Sequence, residues 1–218
     1  MAKDDWYRGP IWDLATREQF EQRLSRARTQ RAQYLRIKGY ELTQADDRSV
    51  WAAGRGLLQR VLDAHPDDEL SVIEAHHDLG RSFAREGAYT EAAHHYEQSL
   101  ALQRQRGGGV DPGTRLTLAE LIVDAGWEQR YQEAVDLLGD FISSRRAGLF
   151  PIEQFRVLLV EARIAERLGK ADVARRDAEQ ALELLAKNES VLPRHPGVGV
   201  IHTGKETFGE LERLATLD

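Results

Sequence analysis

The feature that most constrains this chain is a spacing that returns four times. Gly39, Gly87, Gly126 and Gly169 each stand seven residues after a small residue, which is Ala32, Gly80, Ala119 and Ala162 in turn. Three residues beyond each small residue comes Leu35, Phe83, Ile122 or Ala165. Positions i, i+3 and i+7 share one face of a helix, and a terminal glycine can take the left-handed conformation that ends one. The small residue lets a neighbouring helix approach closely. Each unit therefore predicts a helix closed by its glycine.

A second stripe follows, at i, i+4, i+7 and i+8: Gly54, Leu58, Val61 and Leu62, then Ala92, Tyr96, Ser99 and Leu100. Ala134, Leu138, Phe141 and Ile142 repeat it, as do Ala174, Ala178, Ala181 and Leu182. This is the period of an amphipathic helix. Helical hairpins of this size cannot bury their apolar sides alone and stack on one another. The expectation is an all-α fold of about four helix-turn-helix hairpins over residues 17–187. Hydrophobic residues at 41% supply a core, and charged residues at 30% suit an elongated shape with much surface.

The stretch Leu79-Gly80-x-x-Phe83, then Gly87-x-Tyr89-x-Glu91-Ala92 with Tyr96 and Leu100, resembles the tetratricopeptide repeat family. Arg130-Tyr131-Gln132-Glu133-Ala134 keeps the Tyr-x-Glu-Ala turn, with three extra residues after Gly126. The first unit is longer between Gly39 and Gly54, and Pro66 falls where the family closes its second helix. His76 stands where the family has an aromatic residue. Gly-to-Gly spacings of 48, 39 and 43 residues exceed the family's ~34.

The resemblance implies a right-handed α-solenoid whose first helices line a concave groove for extended peptides. Carried over position by position, the groove takes Arg26, Gln33 and Arg36 from the first unit and His77, Arg81 and Arg85 from the second. The third gives Leu116, Glu120, Val123 and Asp124, and the fourth Arg156, Leu159, Arg163 and Arg167. Seven of these are arginines, whose forked donors suit carboxylates and phosphates. The expected role is a protein-binding adaptor or scaffold, its partner a protein or peptide bearing acidic side chains or a free carboxylate. Against this stands the reading that helix arginines lie over apolar neighbours and pair with the chain's own glutamates.

Residues 1–16 concentrate Trp6, Tyr7, Pro10 and Trp12, as a cap over the open end of a repeat stack would. Thr16-Arg17-Glu18-Gln19 reads as a capping box opening a long helix. That helix, 17–38, carries seven basic residues against Glu18 and Glu21, which offers nucleic-acid binding as an alternative role. The net charge of −6 weighs against it. Residues 188–204 have the composition of a linker, with Pro193, Pro196, Gly197, Gly199 and Gly204. In 205–218, Phe208, Leu211, Leu214 and Ala215 form a last helical stripe, which folds back on the fourth hairpin or docks in another copy. A structural homo-oligomer is therefore a third reading.

Motifs of catalysis are few. Gly199-Val200-Ile201-His202-Thr203-Gly204-Lys205-Glu206 nearly matches a phosphate-binding loop, but Glu206 replaces the hydroxyl residue and would repel phosphate. Thr203-x-x-Glu206 reads instead as a helix cap. His76-His77 and His94-His95 are adjacent pairs, which chelate a metal poorly because neighbouring side chains diverge around a helix. One partly buried ring, His76, and three exposed ones are expected. There is no cysteine, Ser-His-Asp order, HExxH or dinucleotide loop. The chain is expected to be no enzyme, with neither cofactor nor metal. With no apolar leader and no apolar run of membrane-spanning length, the expected location is the cytoplasm.

Overall fold

The computed structural model describes residues 5–107, 111–145, 148–187 and 199–217. Among them lie ten α-helices and no strand. These are α1 (Leu14–Arg26), α2 (Arg31–Thr43), α3 (Trp51–Ala64), α4 (Glu69–Arg85) and α5 (Tyr89–Gln105), followed by α6 (Thr114–Asp124), α7 (Tyr131–Ser144), α8 (Pro151–Arg167), α9 (Ala171–Lys187) and α10 (Lys205–Leu214). Sequence neighbours pack as pairs: α2 with α3, α4 with α5, and α8 with α9. The chain divides into two compact units, Met1–Thr114 and Arg115–Asp218. No described helix is long and apolar enough to cross a membrane.

Three of the four repeated glycines close helices. Gly87, Gly126 and Gly169 have φ of +79°, +67° and +69°. In each case the residue after the glycine donates its N–H five residues back: Ala88 to Phe83 O (3.0 Å), Trp127 to Ile122 O (3.1 Å) and Lys170 to Ala165 O (2.8 Å). This is the Schellman closure, which satisfies carbonyls that the helix end leaves orphaned. The apolar residue of the repeated pattern is thus the residue whose carbonyl accepts the closing bond. Its spacing to glycine is a requirement of the cap as well as of the apolar face.

Gly39 departs from the pattern. It is buried within α2, which runs on to Thr43. A Cβ on Gly39 would lie 2.9 Å from Gly54 O, and one on Gly54 would lie 2.8 Å from Gly39 O. The two glycines let α2 and α3 touch backbone to backbone. Gly80 plays a related part between α4 and α5, where its missing Cβ leaves room for the ring of Tyr96. After α2, Trp51 opens α3, anchored by its indole N–H on Ala45 O at 2.8 Å.

The single helix expected over 17–38 is two helices. α1 ends at Arg26 and Gln30 turns the chain at φ +62°, the one positive φ at a non-glycine among the described residues. A side chain in the left-handed region costs about 1–2 kcal/mol. Two features offset it. Arg31 donates from Nε to Ala27 O (2.6 Å) and from Nη2 to Ser25 O (2.8 Å), satisfying carbonyls at the end of α1. The break also lets Phe20 and Leu24 of α1 enter the same core as Ala32, Leu35 and Leu42 of α2. The cap of α1 is Asp13, which accepts from Thr16 N–H at 2.7 Å, rather than a box built on Thr16.

Trp6, Tyr7 and Trp12 pack against this first core, with the Trp6 ring centroid 5.3 Å from that of Phe20. Lys38 holds the segment in place. Only 1% exposed, it donates Nζ to Gly9 O (2.8 Å) and Ile11 O (3.0 Å), 5.4 Å from the Trp12 ring centroid.

In the second unit, Leu211 and Leu214 of α10 join Ile201, Phe155, Ala162, Ala178 and Ala181 in one core cluster. The last helix therefore folds back on the α8–α9 hairpin. Its N-cap is Gly204, with no side-chain cap from Thr203. Residues 188–198 of the expected linker lie outside the described residues.

Candidate functional site

Of the first-unit positions expected to line a groove, Arg36 of α2 and Arg81 and Arg85 of α4 lie on two helices that pack together. Arg36 of α2 bridges Glu74 (2.9 Å) and Asp78 (3.1 Å) of α4. Burial pushes the Asp78 carboxyl up to about 6, although Arg36 opposes the shift with its charge and its hydrogen bond. Desolvation of a nearly buried carboxylate outweighs one partly exposed cation here. Arg81 lies 5.6 Å from the Tyr40 ring centroid and Arg85 lies 4.3 Å from that of Trp51. Arg85 also donates to the backbone carbonyl of Thr43. Neither Arg81 nor Arg85 forms a salt bridge among the described residues. Gln33 is exposed on α2, and Arg26 is exposed at the end of α1.

The second unit is more self-satisfied. Arg156 of α8 grips the Glu120 carboxylate of α6 from Nε (2.6 Å) and Nη2 (2.5 Å). Arg163 reaches Asp124 through Nη1 at 3.1 Å and the carboxylate of Glu210 on α10 through Nε and Nη2 at 2.9 and 2.7 Å. Burial raises the Asp124 carboxyl above its ordinary range, against the pull of Arg163. Glu166 and Arg213 add a second pair between α8 and α10. Of the expected arginines in this unit, Arg167 alone is exposed and forms no salt bridge among the described residues.

Three positions expected on the groove surface are core. Leu116 and Val123 are buried on α6, and Leu159 is half-buried on α8. His77 is buried too, its Nδ1 3.0 Å from Thr114 Oγ1. Thr114 shares a polar cluster with Ser99 (3.3 Å) and Gln103 (3.3 Å) in the core of the first unit. The i, i+3 and i+7 stripe is broader than the minimal pattern, so flanking positions on a short helix turn inward.

The histidines distribute differently from expectation. His77 is the buried one, His94 is exposed, and His76 and His95 are half-buried with their Nδ1 atoms 3.1 Å apart. Phe83 stacks on His95 at 5.4 Å between centroids, with 5° between planes. Burial, and then each ring's histidine neighbours, bring both down to about 4. Both are neutral at pH 7, one Nδ1 donating to the other. No group of three or more described His, Asp or Glu residues is placed to hold a metal. In the near-match to a phosphate loop, Ile201 is buried in the second core, so its middle serves packing.

Of the seven basic residues in 17–38, Lys38 is buried on carbonyls, Arg36 is paired with carboxylates and Arg31 caps α1. Sequence reasoning missed Lys38, Asp78 and Glu210. Their type gave no signal, since charged residues stud every helix of the chain. Lys38 alone could have been suspected, because it stands three residues after the core residue Leu35. No family model, curated protein or solved structure matches the chain.

Proposed function

We propose that the chain is a protein-interaction module of tetratricopeptide type, its hairpins wound as a right-handed solenoid, and that it takes an acidic peptide segment on the face formed by α2 and α4. The observation that carries this reading is the state of Arg81 and Arg85. Each rests on an aromatic ring, Tyr40 or Trp51, and forms no salt bridge among the described residues, although the Arg81 charge acts on Asp78. Stacking fixes a guanidinium while leaving N–H groups for a carboxylate from outside, and Arg85 spends only its Nη1 on the Thr43 carbonyl. Gln33 is exposed on α2, one of the two helices that form this face. Arg156 and Arg163, already matched by Glu120, Asp124 and Glu210, offer much less to a partner.

The test is a peptide array graded from acidic to basic, followed by fluorescence anisotropy on the acidic binders. Replacing Arg81 and Arg85 by Glu should weaken capture by about a hundredfold, as loss and reversal of two charge-assisted contacts would. Replacing Arg156 should change it little. Equal capture by the Arg81→Glu, Arg85→Glu double variant would remove the assignment.

A further inference from the structure

Between α7 and the α8–α9 hairpin, the second unit opens into a cavity of about 270 Å3. Val135, Leu168 and Val173 supply apolar lining, and Tyr131, Glu161 and Asp177 supply the inner polar groups. Val135 and Leu168 are 43% and 53% exposed, large apolar side chains left in water at the mouth.

The polar groups are incompletely matched. Tyr131 is 3% exposed, and its hydroxyl is buried with no hydrogen-bond partner. A buried hydroxyl without a partner is unfavourable and calls for an explanation. Glu161 is half-buried and makes no hydrogen bond or salt bridge among the described residues. Burial and the neighbouring Asp177 charge push its carboxyl above the ordinary range, against the pull of the Arg176 charge. Asp177 is buried, and Arg176 donates twice to one of its oxygens, Oδ1, at 3.0 and 2.8 Å. Lys170 and Arg176 also line the cavity and are exposed; the Arg176 charge is committed to Asp177 and acts on Glu161 as well.

A carboxylate without a hydrogen bond, an unmatched phenol and an apolar wall have one simple complement. An ammonium has three donors and no acceptor, so it can satisfy Glu161 and Tyr131 together while its stem covers the apolar residues. An anion would meet Glu161 and Asp177 unfavourably, and a neutral apolar molecule would leave both polar groups unmatched. We propose that this cavity binds a primary alkylammonium group, its stem on Val135, Leu168 and Val173 and its head on Glu161 and Tyr131. The group can belong to a free amine or to a lysine side chain of another chain. The proposal is independent of the acidic-peptide reading, which concerns the other unit.

The experiment is an NMR titration of the full, 15N-labelled chain at pH 7 with n-hexylamine, n-hexanol and hexanoate. Hexylamine should shift amides around Tyr131, Val135, Glu161 to Leu168 and Val173 to Asp177, and bind at least about tenfold more tightly than the other two. Glu161→Gln should weaken hexylamine about tenfold or more, and Tyr131→Phe by about three- to tenfold. Tyr131→Phe removes an unpartnered hydroxyl, so it should fold at least as well as the parent and decides the matter if Glu161→Gln does not fold. A capped lysine peptide that binds more tightly than hexylamine would assign the group to a partner chain; weaker binding would assign it to a free amine. Hexylamine that moves no cavity amide, hexanol that binds as well, or variants that bind undiminished would overturn the proposal.

Discussion

Gly39 and Gly54 meet backbone to backbone, each so placed that a Cβ would come within 2.9 Å of the other's carbonyl oxygen. So close an approach of two helices demands glycine on both sides, and neither backbone can move without disturbing Leu42 and Leu58, which are fully buried beside them. Gly39→Ala should therefore cost about 2–3 kcal/mol through overpacking. Gly56, also in α3, has open space where its Cβ would stand. Gly56→Ala should stabilise by about 0.5–1 kcal/mol from helix propensity. Urea denaturation of the two variants measures the contrast, and a Gly39→Ala protein as stable as the parent would contradict the close approach.

Lys38 ties the amino-terminal aromatic segment to α2 through two carbonyls. Removing its ammonium in Lys38→Ala leaves Gly9 O and Ile11 O without their donor and should cost about 2–3 kcal/mol. Trp6 and Trp12 pack on the same core, so tryptophan emission should shift to the red. Unchanged emission with unchanged stability would show that the segment is held by packing alone.

His76 and His95 give the protein an acid-sensitive joint between α4 and α5. Each ring titrates at about 4 when folded, against 6.5 ordinarily. Between those values the unfolded chain binds protons that the folded one refuses, so the contribution is complete above pH 6.5 and is lost as pH falls toward 4. Asp78 acts in the opposite sense. Its folded value of about 6 lies above the ordinary 3.8, so its contribution is lost as pH rises through 6. The two histidines outweigh the one aspartate. The unfolding free energy should fall between pH 7 and pH 4.5 by about 2 kcal/mol, a figure reduced for solvent screening of partly exposed rings. In a His76→Gln, His95→Gln variant that decline should largely disappear, and an equally steep one would refute the assignment.

At the carboxyl-terminal helix, apolar burial and ion pairing can be separated. Leu211 and Leu214 are fully buried, and Leu→Ala at either should cost about 2–4 kcal/mol. Glu210→Gln and Arg213→Gln break pairs that reach solvent, and each should cost about 1 kcal/mol or less. Protease sensitivity of α10 should rise in the leucine variants and stay near that of the parent in the charge variants. The reverse ranking would mean that the ion pairs hold the helix.

The helical hairpins and three of their closures were legible in the residues, because periodicity and a glycine cap are local physics. The apolar residue four before each of Gly87, Gly126 and Gly169 and the glycine itself lie within one turn, and nothing distant can change what they do there. Gly39 obeys the same spacing and does something else, since the choice between ending a helix and admitting a neighbour depends on Gly54, fifteen residues away. The break at Gln30 was invisible for the same reason. No glycine or proline marks it, and it exists because Phe20 and Leu24 gain a core that only the folded chain assembles.

The arginines divide the two kinds of knowledge most clearly. Their placement on the first helices follows from spacing alone. Which of them pair with the chain's own carboxylates was decided by tertiary contact, which matched Arg36, Arg156 and Arg163 and left Arg81 and Arg85 on aromatic rings. A charge acts over distances set by the fold, whereas a helical stripe is written within a few turns of chain. Local pattern therefore determined the elements, and long-range packing determined which of their charges are paired.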